Sequence, residues 1–195
     1  MLEYLITKNF LPFIAPQGRF YFERTFMKFY DSIEFVPPTH PFLDDAHEYS
    51  PVNLKPLCRA AALADMLPLR PQDILSHPLG IVAVGVYSTR GHFELADALA
   101  YAGITKFEEH DGTKMALIGG MVTKRNARGA GLAHATLSKL LTASKQPDFL
   151  AEHAHEGFMA RCNDSSVDLF RDLGFVPKAL LGSRTVMERP VASTA

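Results

Sequence analysis

Cysteine is scarce in this chain, charge of either sign is not in excess, and long apolar runs are missing. The 195 residues hold two cysteines, Cys58 and Cys162. Their spacing matches no metal-binding pattern and no disulfide framework, so both read as buried thiols of a protein in a reducing compartment, which points to the cytoplasm. Lys and Arg number 20 against 21 Asp and Glu, a net charge of −1. No global basic field therefore draws in nucleic acid or an acidic membrane. No stretch reaches the roughly 18 apolar residues that a membrane span needs. Glu3 comes early and Pro12 and Pro16 follow, so the start lacks the basic segment and clean apolar run of a secretory signal. Internal repeats and low-complexity tracts are also missing. What remains is an ordinary globule, 47% hydrophobic and 21% charged. That composition excludes a disordered chain, a collagen-like chain and a long coiled coil. A chain of this length buries roughly 70% of its unfolded surface in one domain, so it needs no metal or disulfide for stability.

Residues 1–50 carry 12 of the 20 aromatic residues and read as an extension packed on a main domain at 51–190, with a short tail at 191–195. Phe22, Phe26, Phe29 and Ile33 have helical spacing, while Ile33–Val36 also suits a strand ended by Pro37 and Pro38. The aromatic stripe reads as core, with a homodimer face as the alternative. Pro37–Tyr49 reads as irregular. Asn53–Met66 predicts a helix with Asn53 as cap and Pro56 in its first turn, and 72–76 adds a short turn. Val-rich Gly80–Ser88 predicts a strand. Phe93, Ala96, Leu99 and Ala100 predict an inserted helix over 92–102, stopped by Gly103. Asp111-Gly112 between two strand-like runs, 104–109 and 114–122, is a strong hairpin signal. Helices over 129–145, 148–155 and 165–173 follow, with strands at 157–161 and 185–188. The class is a mixed α/β fold.

The segment at 121–141 is a strand, a basic turn and a Gly-rich opening of a helix. Amides at a helix start face outward and its dipole favours an anion. Gly129 and Gly131 permit close approach to the backbone, and Lys124, Arg125 and Arg128 supply charge and forked donors. Phosphate or pyrophosphate is the natural occupant. A Walker string is missing, and His134 stands where a Rossmann fingerprint has its third glycine.

Arg128-Gly129-Ala130-Gly131-Leu132-Ala133 resembles R-x-x-G-x-[GA], the pyrophosphate signature of the GCN5-related N-acetyltransferases (the GNAT superfamily). The stretch from Cys162 and Asn163 through a helix to Gly174-Phe175 resembles the superfamily's second signature. The resemblance covers 104–190 well and 53–88 loosely. It implies an acyl-CoA N-acyltransferase fold, with a central, mostly antiparallel sheet splayed into a V and flanked by helices. Acetyl-CoA would lie in that V as co-substrate, without a metal. By position, the amides of Arg128, Gly129, Ala130, Gly131, Leu132 and Ala133 would hold the pyrophosphate. Backbone groups near Met121 and Val122 would pair with the pantetheine arm, one amide polarising the thioester. Asn163 would reach the cofactor from the other wall, Gly174 would cap a helix, and Phe175 would plug the core.

Direct transfer to an amine needs a base for the amine and an acid for the thiolate. The superfamily often has a Tyr seven residues after the Asn; here that position is Phe170, which has no proton to give. Tyr49, Tyr87 and Cys162 are substitute acids without a spacing argument, and Glu108 and Glu109 are candidate bases on the hairpin strand. His134 reads as structural. His153 and His155, two apart outside a strand, are not expected to face each other or to hold a metal. The expected activity is acetyl transfer to an amine of a small molecule or a protein. The alternatives are a non-catalytic acyl-CoA-binding module and a base-modifying enzyme on the same scaffold. The near-zero net charge counts against a nucleic-acid partner.

Overall fold

The Val-rich run becomes strand β2 (Leu79–Ser88) in the computed structural model of the chain, which describes residues 30–38, 54–62, 69–88 and 94–190. It lies second in a seven-stranded sheet of order β1-β2-β3-β4-β5-β7-β6. The other strands are β1 (Ser32–Val36), β3 (Glu94–His110), β4 (Thr113–Thr123), β5 (Gly157–Cys162), β6 (Val176–Leu181) and β7 (Arg184–Pro190). Neighbours are antiparallel except β4 and β5, which run parallel. The hairpin forms as its sequence predicts: Asp111 and Gly112 both take positive φ, 51° and 74°, between β3 and β4.

Helices cover both faces. Leu57 and Ala61 of α1 (Lys55–Ala62) and Ile74 of α2 (Pro71–Ser76) pack on Val82, Val84, Tyr101 and Val122. On the opposite face, Leu137, Leu140 and Leu141 of α3 (Leu132–Ala143) meet Ile104, Ile118, Phe158 and Ala160. Leu137 and Leu140 are fully buried, each worth about 1.5–3 kcal/mol of transfer free energy. Two shorter helices, α4 (Pro147–Glu152) and α5 (Asp164–Asp172), flank β5 in the chain.

The helix predicted over 92–102 is a strand. Residues 94–102 form the first half of β3 and pair with β2 from Glu94↔Ser88 to Ala102↔Ile81. Leu99, Ala100, Tyr101 and Ala102 are all fully buried. A strand covered on both faces shows a continuous apolar run, and its alanines mimic helical spacing. Gly103 is a strand residue, paired with Gly80 and Gly119, and stops nothing. The strand expected at Ile33–Val36 is the edge strand β1, Ser32–Val36. Strand β6 goes beyond the sequence reading, which foresaw a single strand after Phe175. Phe22, Phe26 and Phe29, which carry the homodimer reading, lie outside the described residues, as do Tyr49 and Asn53.

Candidate active site

Strands β4 and β5 hold together only from Met115↔Gly157 to Ile118↔Ala160. Beyond that register β4 continues through Gly119–Thr123 and β5 through Arg161 and Cys162, with no pairing between them. A bulge accompanies the parting. Tyr101 and Gly103 of β3 pair with Val122 and Gly119, so Gly120 and Met121 oppose the single residue Ala102. Gly120 takes φ +64° at this bulge. Met121 and Val122 lie on the splayed arm, and their side chains join different clusters, Val122 beneath α1 and Met121 on the α3 face.

Each arm of the V leads into one of the two segments singled out by sequence. From β4 the chain passes Lys124, a 3-10 turn at Arg125–Ala127, then Arg128 to Gly131 and helix α3. Gly129 and Gly131 take φ +83° and +73°, with open space where a Cβ would stand. Arg125, Arg128, Gly129 and Gly131 are exposed, and Ala130 and Ala133 are half-buried. Leu132 is buried and packs into the core beside Leu99. The amides of Leu132 and Ala133, in the first turn of α3, have no carbonyl one turn earlier to accept them. The loop's residues thus suit a phosphate, in backbone donors, open space and cationic side chains.

The loop is anchored from within. The Lys124 ammonium sits 3.1 Å from Asp97 on β3, and the Tyr30 hydroxyl donates to the same carboxylate at 3.0 Å. Lys124 is thereby tied to the sheet. Arg128 Nε donates to the Thr123 carbonyl at 3.4 Å, closing the loop on the strand it leaves.

From β5 the chain passes Cys162 to Asn163, the N-terminal cap residue of α5. Asn163 Oδ1 accepts from the Ser165 and Ser166 hydroxyls at 2.9 and 2.8 Å. Cys162 is buried, and burial pushes its thiol up from the ordinary 9.0 to about 11, with a Ser166 hydrogen bond opposing. Neither cysteine forms a disulfide. Past the end of α5 the chain turns at Gly174, φ +81°, and Phe175 is buried. Phe170 is 4% exposed and packs in the core with Ile118, Leu137 and Cys162.

The candidate bases stand elsewhere. Glu108 and Glu109 pair with Met115 and Lys114 at the hairpin end of the sheet, on the part of β4 that precedes the splay. There they line an open groove with Phe107, Gly112, Lys114 and Glu156. Glu108 contacts the Lys106 ammonium, and Arg161 lies 3.2 Å away. The hydrogen bond from Lys106 holds the Glu108 carboxyl below its usual range, which weakens it as a base. Tyr87 lies on β2 opposite Leu95, two strands from β4. His153 and His155 both contact the Phe107 and Phe149 rings. His153 stacks on Phe107 at 5.2 Å, and His155 is tilted to it at 5.9 Å, because the chain leaves helix α4 between them.

Sequence reasoning missed the pair His77 and Tyr101. His77 follows α2 and its Nδ1 hydrogen-bonds the Tyr101 hydroxyl. The rings stack with centroids 5.9 Å apart and planes 23° from parallel. Tyr101 is fully buried, which pushes its phenol pKa strongly up, and partial burial lowers that of His77. The one signal in the sequence is that glycines stand at 80, 103 and 119–120, where strand residues with side chains would be expected.

The V, the Gly-rich loop on one arm and the capped helix on the other define the fold of the GNAT acyl-CoA N-acyltransferases. Solved structures of that fold resemble the chain. One is the NatC complex bound to Gag peptide and CoA, at 14% identity and TM-score 0.54, over 83% of this chain and 99% of that one. An acyl-CoA N-acyltransferase from Pseudomonas aeruginosa matches at 18% identity and TM-score 0.51, over 81% and 99%. A mutant AtaT toxin bound to the C-terminus of the antitoxin AtaR matches at 17% identity and TM-score 0.51, over 82% and 94%. No protein-family model and no curated protein matches the chain. Among the described residues no helix is long and apolar enough to cross a membrane, and no group of three or more ligating side chains is placed to hold a metal.

Proposed function

We propose that the protein is an N-acyltransferase that passes an acetyl group from acetyl-CoA directly to an amine of a small molecule or a protein. The observation that carries this reading is the parting of β4 from β5 directly ahead of an exposed Arg128–Gly131 loop at a helix start. The amides of Arg128 to Ala133 and the Arg128 guanidinium bind pyrophosphate, and Asn163 approaches from the opposite arm. The unpaired edge at Met121 and Val122 offers main-chain groups to an extended amide chain, as a sheet edge does to a strand. The bound thioester supplies the acyl group. The protein's part is to hold it against that edge, exclude water and donate a hydrogen bond as negative charge builds on oxygen. The absence of a disulfide at Cys58 and Cys162 supports a cytoplasmic setting.

A second reading, a CoA-binding module without turnover, draws support from Phe170, a core ring at the position where the superfamily that the chain resembles often has a Tyr. Two experiments separate them. Release of free thiol from acetyl-CoA over an amine panel supports transfer. CoA retained in a native mass spectrum without thiol release supports the module. Neither CoA binding nor release overturns both.

A further inference from the structure

Three glycines on three adjacent strands surround the Tyr101 ring. A Cβ at Gly80 would stand 2.9 Å from Tyr101 Cε2, one at Gly103 2.1 Å from its hydroxyl, and one at Gly120 3.3 Å from Cε1. The phenol therefore lies flat on the sheet along β3, its hydroxyl over Gly103 and its two edges toward β2 and β4. His77 completes the arrangement. Its Nδ1 lies 3.0 Å from the Cβ position of Gly103, and its Cε1 lies 3.5 Å from that of Gly120. The imidazole thus borders the bulge at which β4 leaves β5, on the face covered by Leu69 and Val122.

The chemistry of the pair assigns the protons. A buried phenol keeps its proton and must donate it. His77 Nδ1 is its partner, so Nδ1 is the acceptor and the ring hydrogen is on Nε2. Partial burial lowers the imidazole pKa, against the opposing pull of Asp73, which Arg70 already pairs at 3.1 Å. The result is a neutral imidazole with a fixed tautomer beside the bulge of β4. Neutral imidazole is a poor proton source and, with Nδ1 engaged, a poor base, but Nε2–H is a good hydrogen-bond donor.

We infer that His77 serves the site as a neutral hydrogen-bond donor to the acyl oxygen, and that Tyr101 is the positioning residue that fixes its tautomer. This rests on the transferase reading above. The Nε2 proton stays on His77 throughout: the amine nitrogen bonds the acyl carbon, the C–S bond breaks to release the CoA thiolate, and the amine proton passes to water. The Nε2–H bond shortens its contact as charge develops on oxygen and relaxes as the thiolate leaves.

The test uses the full chain. Nitrogen-15 NMR of the imidazole in the protein without CoA reports the tautomer, and Nε2–H with an unprotonated Nδ1 is expected. Tyr101→Phe, which keeps the ring, should release that lock and mix the tautomers. A wild-type Nδ1–H tautomer overturns the inference without touching the transferase reading. In thiol-release assays His77→Ala should lower kcat about 10²–10³-fold, the cost of one oxyanion donor, with KM for acetyl-CoA nearly unchanged. His77→Gln, whose side-chain amide can donate from a similar place, should recover part of the loss. A wild-type rate that His77→Ala leaves unchanged overturns the role alone. An acid limb in kcat that follows the His77 titration makes it a base and also overturns the donor. A wild-type protein that neither binds CoA nor releases thiol removes the transferase reading itself.

Discussion

Phe170 and Phe175 meet edge to face, ring centroids 5.0 Å apart and planes at 89°. One lies in the last turn of α5 and the other just past Gly174, and the Phe175 amide donates to the Phe170 carbonyl at 3.0 Å. The turn that ends the helix therefore folds one ring onto the other. Adding a hydroxyl in Phe170→Tyr puts a polar group into this core. The expected result is a loss of about 1–3 kcal/mol in stability, measured by denaturant unfolding, with no gain in thiol release. Faster thiol release at unchanged stability would place the ring edge in the cleft instead.

Gly131 takes φ +73° with open space beside it, immediately before α3. Gly131→Val is expected to abolish CoA binding in calorimetry while the fold survives. A β-branched residue there is strained by about 1–2 kcal/mol or more and fills the approach to the helix start. Unchanged CoA affinity would remove the loop from the site.

Arg128→Ala should weaken CoA by about tenfold to a hundredfold, the worth of a charge-assisted contact of about 1.5–3 kcal/mol. Pantetheine, which has no phosphate, should lose less. An equal loss for both would reduce Arg128 to its structural contact with the Thr123 carbonyl.

Gly103→Ala would bring a methyl within 2.1 Å of the Tyr101 hydroxyl and 3.0 Å of His77 Nδ1. Overpacking of this kind costs about 1–3 kcal/mol. The melting temperature should fall, and the His77 imidazole resonances should shift with it. An unaltered melting temperature would mean that the ring has room to move.

Cys162 gives a pH dependence with a definite sign. Its thiol rises from 9.0 to about 11 on folding because burial opposes the thiolate. Between those values the unfolded chain has lost the proton and the folded one retains it. Stability is complete below about pH 9 and falls as pH rises toward 11. Cys162→Ala should flatten that segment of the stability profile, read by urea unfolding at a series of pH values. A parallel profile would assign the loss to other groups.

The hairpin at Asp111-Gly112, the loop from Arg128 to Gly131 and the Gly174 turn were legible in the sequence because each is a local demand. Positive φ and exposed helix-start amides are properties of a few adjacent residues, and residue type reports them directly. The V itself was expected from the resemblance to the GNAT superfamily, whose two signatures follow its two arms. Non-local pairing decided the rest. Residues 94–102 have helical spacing taken alone and become a strand because β2 lies on one side and β4 on the other, with helices over both faces. Glu108 and Glu109 are adjacent to the hairpin in sequence, and cross-strand pairing with Met115 and Lys114 sets their backbone at that end of the sheet, although the Glu108 carboxylate meets Arg161 of β5. Phe170 has the sequence position of a catalytic donor, and its burial against Phe175 is settled by how α5 docks. His77 and Tyr101 are 24 residues apart and meet only because α2 ends over the sheet, above glycines whose missing side chains leave the space. Chain neighbours set the backbone, and packing between distant strands and helices set which side chains reach the V.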